Sequence, residues 1–576
     1  MVSSTSTLSP RYRRQAVESL GGRHFDLLVV GGGVVGCGVA LDATTRGLSV
    51  ALVESRDFGA GTSSRSSKLL HGGLRYLEML DFGLVAEALS ERGLIAEKLA
   101  PHLVRAIPFL YPLRHRGWER LYVGAGVGLY DAMASLGGRR GGIPWHRHLS
   151  RNRLKSVAPS LRVDRLAGAL MYYDAQVDDA RHTMALARTA AGYGATVTTG
   201  TTLTALHHEG GAVRGATIRD ESTGGEINVT AGCVVNATGV WSNEIAALCG
   251  QRPDPEVRMS KGIHLVVPRD CIASESGIIL RTEKSVLFVI PWNDHWLIGT
   301  TDTEWTLRKD HPAATATDID YLLTRVNAVL RHPIDRADIV GVFAGLRPLV
   351  QGSSATTAKL SREHAVSHPV TGLVSVAGGK YTTYRVMARD AVDEAIKDLG
   401  TSAGPCCTAE VPLVGAAGFR AMASSVDRLA ADYGLPSPTV QCLLGRYGSE
   451  TPDVLASCLT DPALAQPLDG APDYLRAEVL YAATTEGARH LDDILTRRTR
   501  ISFEAADRGV KAATAAAGLV TGVLGWSPQE QSAQVERYRR RVRAELASQS
   551  MGDDVTADAV RYGEPGDALV LPHAPR

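Results

Sequence analysis

FDLLVVGGGVVGCGVALDATTRGLSVALVE, residues 25–54, is the stretch on which the rest of the chain is read. Residues 25–30 are a short apolar run of the kind a buried strand uses. Gly31, Gly33 and Gly36 follow in the spacing G-x-G-x-x-G, and a helix is predicted next, to about Arg46. Val34, Val35, Val39, Ala40 and Ala43 form its buried side, and Gly47 ends it. Residues 50–53 make a second strand, closed by Glu54. Gly31 permits the tight turn, Gly33 lets a pyrophosphate approach the backbone, and Gly36 lets the helix pack closely on the sheet. The free N–H groups at the helix start meet the phosphates. Glu54 stands where a carboxylate accepts hydrogen bonds from a ribose 2′-OH. The alternative is a glycine-rich packing turn without a ligand; strand, helix and acid together favour a dinucleotide site. The acid argues against NADP and leaves FAD and NAD both open at this point.

At 576 residues the chain exceeds one ordinary core, so two or three domains are expected. Lys and Arg number 62 against 61 Asp and Glu, and nothing in the overall charge points to nucleic acid. Eight cysteines are scattered without a C-x-x-C or a ligand spacing, and Cys406 and Cys407 are simply adjacent. They read as buried reduced thiols of a cytosolic protein, and no metal is expected. The first twenty residues are polar and basic, unlike a secretory signal, and no run of eighteen apolar residues predicts a transmembrane helix.

Along the chain, residues 1–8 are expected to be disordered, and Ser9-Pro10 opens a short capped helix that Gly21-Gly22 ends. Arg11, Arg13 and Arg14 on it read as a solvated face more readily than as a surface anchor. Residues 59–78, GAGTSSRSSKLLHGGLRYLE, begin as a loop rich in hydroxyls and backbone donors that lies close to the dinucleotide. Residues 79–100 read as a helix. Residues 103–140 mix Phe109, Tyr111, Trp118 and Tyr122 with Arg114, His115, Arg116 and Arg120. They predict either a helix in a membrane interface or a partly buried helix with an arginine-rich rim. A helix opens at Asp178, strands alternate over 195–235, and the last of them ends at Asn236-Ala237-Thr238-Gly239. A late strand ending in Ala-Thr-Gly is a pattern of flavoproteins with two dinucleotide-binding segments, which moves the balance from NAD to FAD. Residues 256–303 alternate as strands of a separate antiparallel sheet, carrying Lys261, His264, Trp292, His295, Thr301 and Asp302. Residues 316–331 are an amphipathic structural helix. A strand, Gly378-Gly379-Lys380 and a helix start bring the chain back to the cofactor. Beyond 405 the candidate helices are 424–433, 440–447, 475–498 and 527–548, the last opened by a Ser527-Pro528-Gln529-Glu530 capping box. Arg539–Arg541 on it read as a solvated face. The acidic, Gly- and Pro-containing end is expected to be disordered.

GTSSRSSKLLHGGLRYLE, NATG, KGIHLVVP, IGTTDTEW, GLRPL and GGKYTTYR together resemble the FAD-dependent, quinone-linked glycerol-3-phosphate dehydrogenases. The likeness spans residues 24–400 and continues more weakly through the C-terminal helices. SSKLLHGGLRYLE and GGKYTTYR are specific to this family; the family's usual Pro-Trp after NATG is Val240-Trp241 here. The resemblance implies an α/β plus α architecture: a GR2/DAO-like Rossmann flavoprotein with an antiparallel substrate sheet and an all-helical C-terminal domain. The boundaries it suggests are an extension over 1–23, an oxidoreductase domain over 24–400, a helical cap over 405–550 and a tail over 551–576. Within the oxidoreductase domain the flavin segments would be 24–100, 165–255 and 370–400, and the substrate and membrane segments 101–164 and 256–369. It further implies oxidation of sn-glycerol 3-phosphate to dihydroxyacetone phosphate in glycerol and glycerophospholipid metabolism, with FAD as cofactor and a membrane quinone as acceptor. Peripheral attachment to the cytoplasmic face of the plasma membrane, often as a homodimer, belongs to the same expectation.

Matched motif by motif, the cofactor contacts fall on Gly31, Gly33, Val34, Val35, Gly36, Glu54, Thr62, Ser63, Ser64, Ser67, Lys68, Leu70, His71, Gly72, Gly73, Ala237, Thr238, Gly239, Gly379, Lys380 and Thr382. The substrate contacts fall on Arg75, Tyr76, His264, Arg347, Arg362 and Lys380. These residue types suit the task. A phosphate dianion in a partly buried site wants several cations, and arginine offers bidentate geometry. Hydride loss from C2 requires the hydroxyl proton to go to a base, for which His264 is the candidate; a satisfied core histidine is the alternative. Arg347 stays protonated and suits orienting the hydroxyl and steadying a developing alkoxide. Lys380 suits charge stabilisation at the flavin ring. The rivals are a glycerol-3-phosphate oxidase that reduces oxygen to peroxide, a non-catalytic flavin-binding membrane protein, and a soluble NAD dehydrogenase.

Overall fold

The first apolar run becomes the strand His24–Val30, and it lies inside a parallel sheet. The computed structural model describes residues 6–73, 81–115, 117–136, 142–164, 166–250, 255–282, 286–350 and 364–562. His24–Val30 pairs in parallel with Val50–Glu54 on one side and Glu226–Asn236 on the other. Thr196–Thr199 and Leu373–Gly378 continue the parallel pairing outward, and His364–Val370 adds an antiparallel edge. Leu27, Leu28, Val29, Leu52, Val234 and Val235 are fully buried because both faces of this sheet are covered, which is why its strands read as continuous apolar runs. The helix Val34–Thr45 is buried almost all round, so it lacks the polar side a surface helix shows. It lies against Asp179–Gly192 and Tyr384–Ile396, and small residues permit the approach: a Cβ on Gly38 would stand 3.1 Å from the Tyr384 ring. Strand order reverses on either side of His24–Val30, the place where open α/β sheets leave a crevice at the carboxyl ends of their strands.

A second, ten-stranded sheet faces this crevice. Val257–Pro268 is its axis, paired antiparallel with His295–Gly299, Thr303–Trp305 and Gly341–Val350. The sheet takes in more of the chain than 256–303. Val104–Leu113, expected as part of an interfacial helix, is a strand paired antiparallel with Gly168–Val177, and it joins Gly277–Arg281 through one parallel pair. Gly168–Val177 therefore belongs to the substrate sheet and not to the flavin segment. Among the described residues of the aromatic stretch, Trp118–Leu136 alone is helical.

The C-terminal domain is helical, with one small hairpin. The single helix expected over 475–498 is two pieces, Arg476–Thr484 and the π-helical turn Asp493–Arg498. Helices Thr451–Thr460 and Val510–Leu524 went unread because they are rich in small residues and flanked by short breaks. Ser527 does cap Pro528–Ser548, accepting the Glu530 N–H at 3.1 Å. Both ends expected to be disordered include ordered residues. Leu8 is buried, with its N–H on Thr485 O at 2.8 Å. Asp554–Tyr562 is a helix held by Asp558 on Arg308 and Asp554 on Lys261. Arg13 is not simply solvated: it pairs with Asp220 at 2.6 Å. Arg541 likewise pairs with Asp492 and Glu545.

Candidate active site

The two sheets enclose a cavity of about 1150 Å³, at or above the upper end of ordinary small-molecule pockets (about 300–1,000 Å³). Its far end is built by the first glycine turn. Gly31 has φ +106°, and a Cβ there would stand 2.7 Å from the Ala237 carbonyl oxygen. A Cβ on Gly36 would fall 1.9 Å from the Gly31 oxygen, so its task is close packing and it does not line the cavity. Ser63 Oγ accepts the Val34 N–H at 2.9 Å at the helix start. Glu54 accepts the Gly32 N–H at 2.7 Å and the Arg56 N–H at 2.8 Å, so its carboxylate is fixed in the cavity wall before any ribose arrives. Thr238 Oγ1 donates to Asn236 Oδ1 at 2.6 Å, which holds the Ala237–Gly239 turn against the first one.

The near end meets the second sheet. His71 N–H reaches Thr382 Oγ1 at 3.2 Å, which ties the His71–Gly73 loop to the Gly378–Thr382 turn. Gly73, Gly378 and Gly379 have φ between 74° and 76°, a backbone that favours glycine. Gly33, Val34, Val35, Thr62, Ser67, His71, Gly239, Lys380 and Thr382 all line the cavity, so the residues present fit a long, phosphate-bearing dinucleotide. His264 and Arg347 face the same space from neighbouring strands, at the paired register positions His264↔Phe343 and Ser260↔Arg347. Arg347 is steered by Thr300 Oγ1 at 2.9 Å, the Thr301 carbonyl at 3.2 Å and Asp302 at 3.4 Å. His264 stacks on Phe343 with ring centroids 4.8 Å apart, and its Nε2 lies 2.9 Å from Ser67 Oγ. Burial first, then the charges of Arg347 and Lys68, pull its pKa down to about 3. The imidazole is therefore neutral, and its Nδ1 finds no hydrogen-bond partner among the described residues.

Several assignments need correction. Lys68 does not face the cavity: its ammonium is fully buried on Asp179 at 2.7 Å and on the Ser64 carbonyl at 3.2 Å, with the Phe343 and Phe503 rings beside it. Burial pushes its pKa down against the pull of Asp179. Ser64, Leu70 and Gly72 also sit behind the wall. Gly72 donates to Tyr130 Oη at 2.8 Å. Arg75, Tyr76 and Arg362 lie outside the described residues. Sequence reasoning missed Asp174, Trp241, Phe343 and Arg65, which line the cavity or brace it. Asp174 left a signal, a lone acid in the apolar strand MYYDAQV; it is held by Arg92 at 2.7 Å and Tyr130 at 2.9 Å, and burial raises its pKa.

The FAD dependent oxidoreductase family matches residues 26–385, and the C-terminal domain of alpha-glycerophosphate oxidase matches residues 406–531. The chain is 54% identical over 560 residues to glycerol-3-phosphate dehydrogenase 2 of Mycobacterium tuberculosis, covering 97% of this chain and 95% of that protein. It is 36% identical over 554 residues to the human mitochondrial glycerol-3-phosphate dehydrogenase, covering 92% of this chain and 75% of that one. Among solved structures it superposes on the Bacillus halodurans glycerol-3-phosphate dehydrogenase complexed with FAD, with a TM-score of 0.77 and 27% identity over 93% of this chain and 98% of that one. The dinucleotide left open by residues 25–54 is thereby FAD. A glycine cradle with a fixed carboxylate at one end, a histidine and an arginine at the other, and relatedness across nearly the whole length lead to one conclusion: the chain belongs to the FAD-dependent glycerol-3-phosphate dehydrogenase family.

Proposed function

We propose that this protein oxidises sn-glycerol 3-phosphate to dihydroxyacetone phosphate and passes the electrons to a membrane quinone. The observation that carries the chemistry is the meeting of His264, Arg347 and Lys380 on the wall of the cavity whose other end is the dinucleotide cradle. Bound there, FAD supplies a two-electron acceptor for the hydride leaving C2. Gly31, Gly33, Ser63, Glu54, Ala237–Gly239 and Gly379 are the residues that would hold it. His264 takes the C2 hydroxyl proton, because its imidazole is already neutral. A base held near 3 is a weak one in the empty cavity. The substrate's phosphate dianion would offset the charge of Arg347 and raise the proton affinity of His264 when it is needed. Arg347, fixed by Thr300 and Thr301, orients the hydroxyl and steadies the charge that develops on its oxygen. Lys380 adds a cation at the Gly378–Gly379 turn.

The acceptor and the membrane reading rest on a different observation. Trp118, Leu121 and Tyr122 are 67, 75 and 58% exposed on one helix, beside Arg114 and Arg120. Aromatic and aliphatic side chains with a basic flank suit the headgroup region of a bilayer, which supports the reading of peripheral attachment at the inner face of the plasma membrane. No described helix is long and apolar enough to cross a membrane. The test is an anaerobic titration of the purified yellow protein with sn-glycerol 3-phosphate, followed by addition of a short-chain quinone or of oxygen. Bleaching of the flavin bands and fast recolouring by quinone is the expected result. A spectrum that no polyol phosphate bleaches would remove the substrate assignment, and fast recolouring by oxygen with stoichiometric peroxide would favour the oxidase.

A further inference from the structure

A second cavity, of about 800 Å³, lies between the flavin domain and the C-terminal helices, and it shares Ser55, Arg56, Ala60 and Arg65 with the wall of the first. Nine arginines line it against four acidic residues. Some of these charges are already matched. Arg13 has Asp220, Arg497 has Asp57 and Asp493, Arg541 has Asp492, and Arg561 has Glu545. Of the remaining five, Arg14 and Arg537 are exposed, and the other three are half-buried and unmatched. Arg56 reaches only the Asp310 carbonyl at 3.1 Å and the face of Trp241. Arg65 reaches the Ala344 carbonyl at 3.4 Å and His311 Nδ1 at 3.3 Å. Arg489 donates its side chain to the Thr199 carbonyl at 3.2 Å. None of the three forms an ion pair among the described residues. Crowding has a consequence for the wall: burial first, then Arg56, Arg541 and Arg561, draw the Arg65 guanidinium down to about 9. His311, ringed by the same arginines, is held neutral and accepts from Arg65 in place of an anion.

We propose that this cavity is a second ligand site, for a small molecule carrying phosphate or polyphosphate groups. Guanidinium groups match phosphate oxygens in bidentate pairs, and a multiply charged anion answers three unmatched cations where a single carboxylate would answer one. The three guanidinium groups are half-buried, which strengthens each contact relative to a fully exposed arginine patch. The cavity adjoins the flavin and substrate cavity through Arg56 and Arg65, and its existence does not depend on the reaction proposed above.

The test is isothermal titration of the FAD-loaded protein with inorganic pyrophosphate, with and without excess sn-glycerol 3-phosphate. One equivalent should bind, with an affinity that excess glycerol 3-phosphate leaves unchanged. Arg489→Gln removes a cation without stranding an acid, and Arg65→Gln removes one on the wall shared with the first cavity; each should weaken binding about tenfold or more. Melting temperatures of both variants establish that they fold, and either one suffices if the other does not. Absence of saturable binding, displacement of pyrophosphate by glycerol 3-phosphate, or wild-type affinity in a folded variant would each overturn the proposal.

Discussion

His264 and Lys68, distant in the chain, meet at Ser67, whose Oγ lies 2.9 Å from His264 Nε2 and which Lys68 directly follows, yet burial gives them opposite tasks. His264 keeps a cavity face and stays neutral; Lys68 is withdrawn completely and neutralised by Asp179. From that difference, His264→Ala should retain FAD and reduce its flavin about 100-fold more slowly or worse under anaerobic stopped flow. A wild-type rate across pH would end its role as the base. Because the free-enzyme imidazole lies at about 3, the pH profile of kcat/KM should show no histidine inflection near 6.5. Lys68→Met should act on stability instead. It leaves the buried Asp179 with Arg500 at 3.5 Å as its one remaining cation among the described residues, beside the Ser66 and Ala180 donors, and the loss in denaturant titration should be about 3–5 kcal/mol.

At the level of elements, the glycine-turn helix was legible because everything that defines it is local: strand, spacing, helix start and acid within thirty residues. Val104–Leu113 was not. Pro108 and Pro112 and an aromatic-basic mixture hide its alternation, and it becomes a strand because Gly168–Val177 offers ten matching register positions. The helix after it, Trp118–Leu136, has two sides with different partners. Tyr130 is buried and bonds Asp174 and Gly72 beneath the cavity loop, whereas Trp118, Leu121 and Tyr122 face outward. Trp118→Ser with Leu121→Ser should therefore release the protein from anionic phospholipid vesicles in a sedimentation assay, with turnover on a soluble dye acceptor within about twofold of wild type. Equal sedimentation of variant and wild type would remove this helix as the membrane contact.

Across the whole molecule, the two domains are welded by buried ion pairs: Arg181 with Glu486, Arg188 with Glu450, and Asp57 with Arg498. Single members of such pairs are costly to remove, so the chain should unfold in one cooperative step rather than domain by domain. Three buried histidines, His102, His182 and His264, are each drawn down to about 3 by desolvation before any other cause. Their unfolded counterparts take up a proton near 6.5, and the folded ones do not. Stability is then full above 6.5 and falls as the pH drops from there towards 3, by up to about 1.4 kcal/mol per pH unit for each histidine. Melting temperature against pH should show that fall, with a smaller slope in His182→Gln. A flat profile between pH 6.5 and 4.5 would contradict the burial of these rings.

The amino-acid order alone determined the dinucleotide turn, the family motifs and the cofactor, because each rests on short-range spacing or on side-chain chemistry that survives any packing. Gly31 makes the tight turn and Gly36 the close packing that their spacing implies. Only the tertiary structure decided which side of a loop each residue takes. Ser63 and Ser67 turn to the cavity while Ser64 and Lys68 turn to the protein, a choice made by Asp179, Phe343 and Phe503 from distant parts of the chain. It also decided that Gly168–Val177 joins the second sheet, that Asp554–Tyr562 is ordered, and that arginines from the N-terminal helix, the flavin domain and the cap line one cavity. Pairing across hundreds of residues depends on the partner's shape and charge, and no local pattern carries that information.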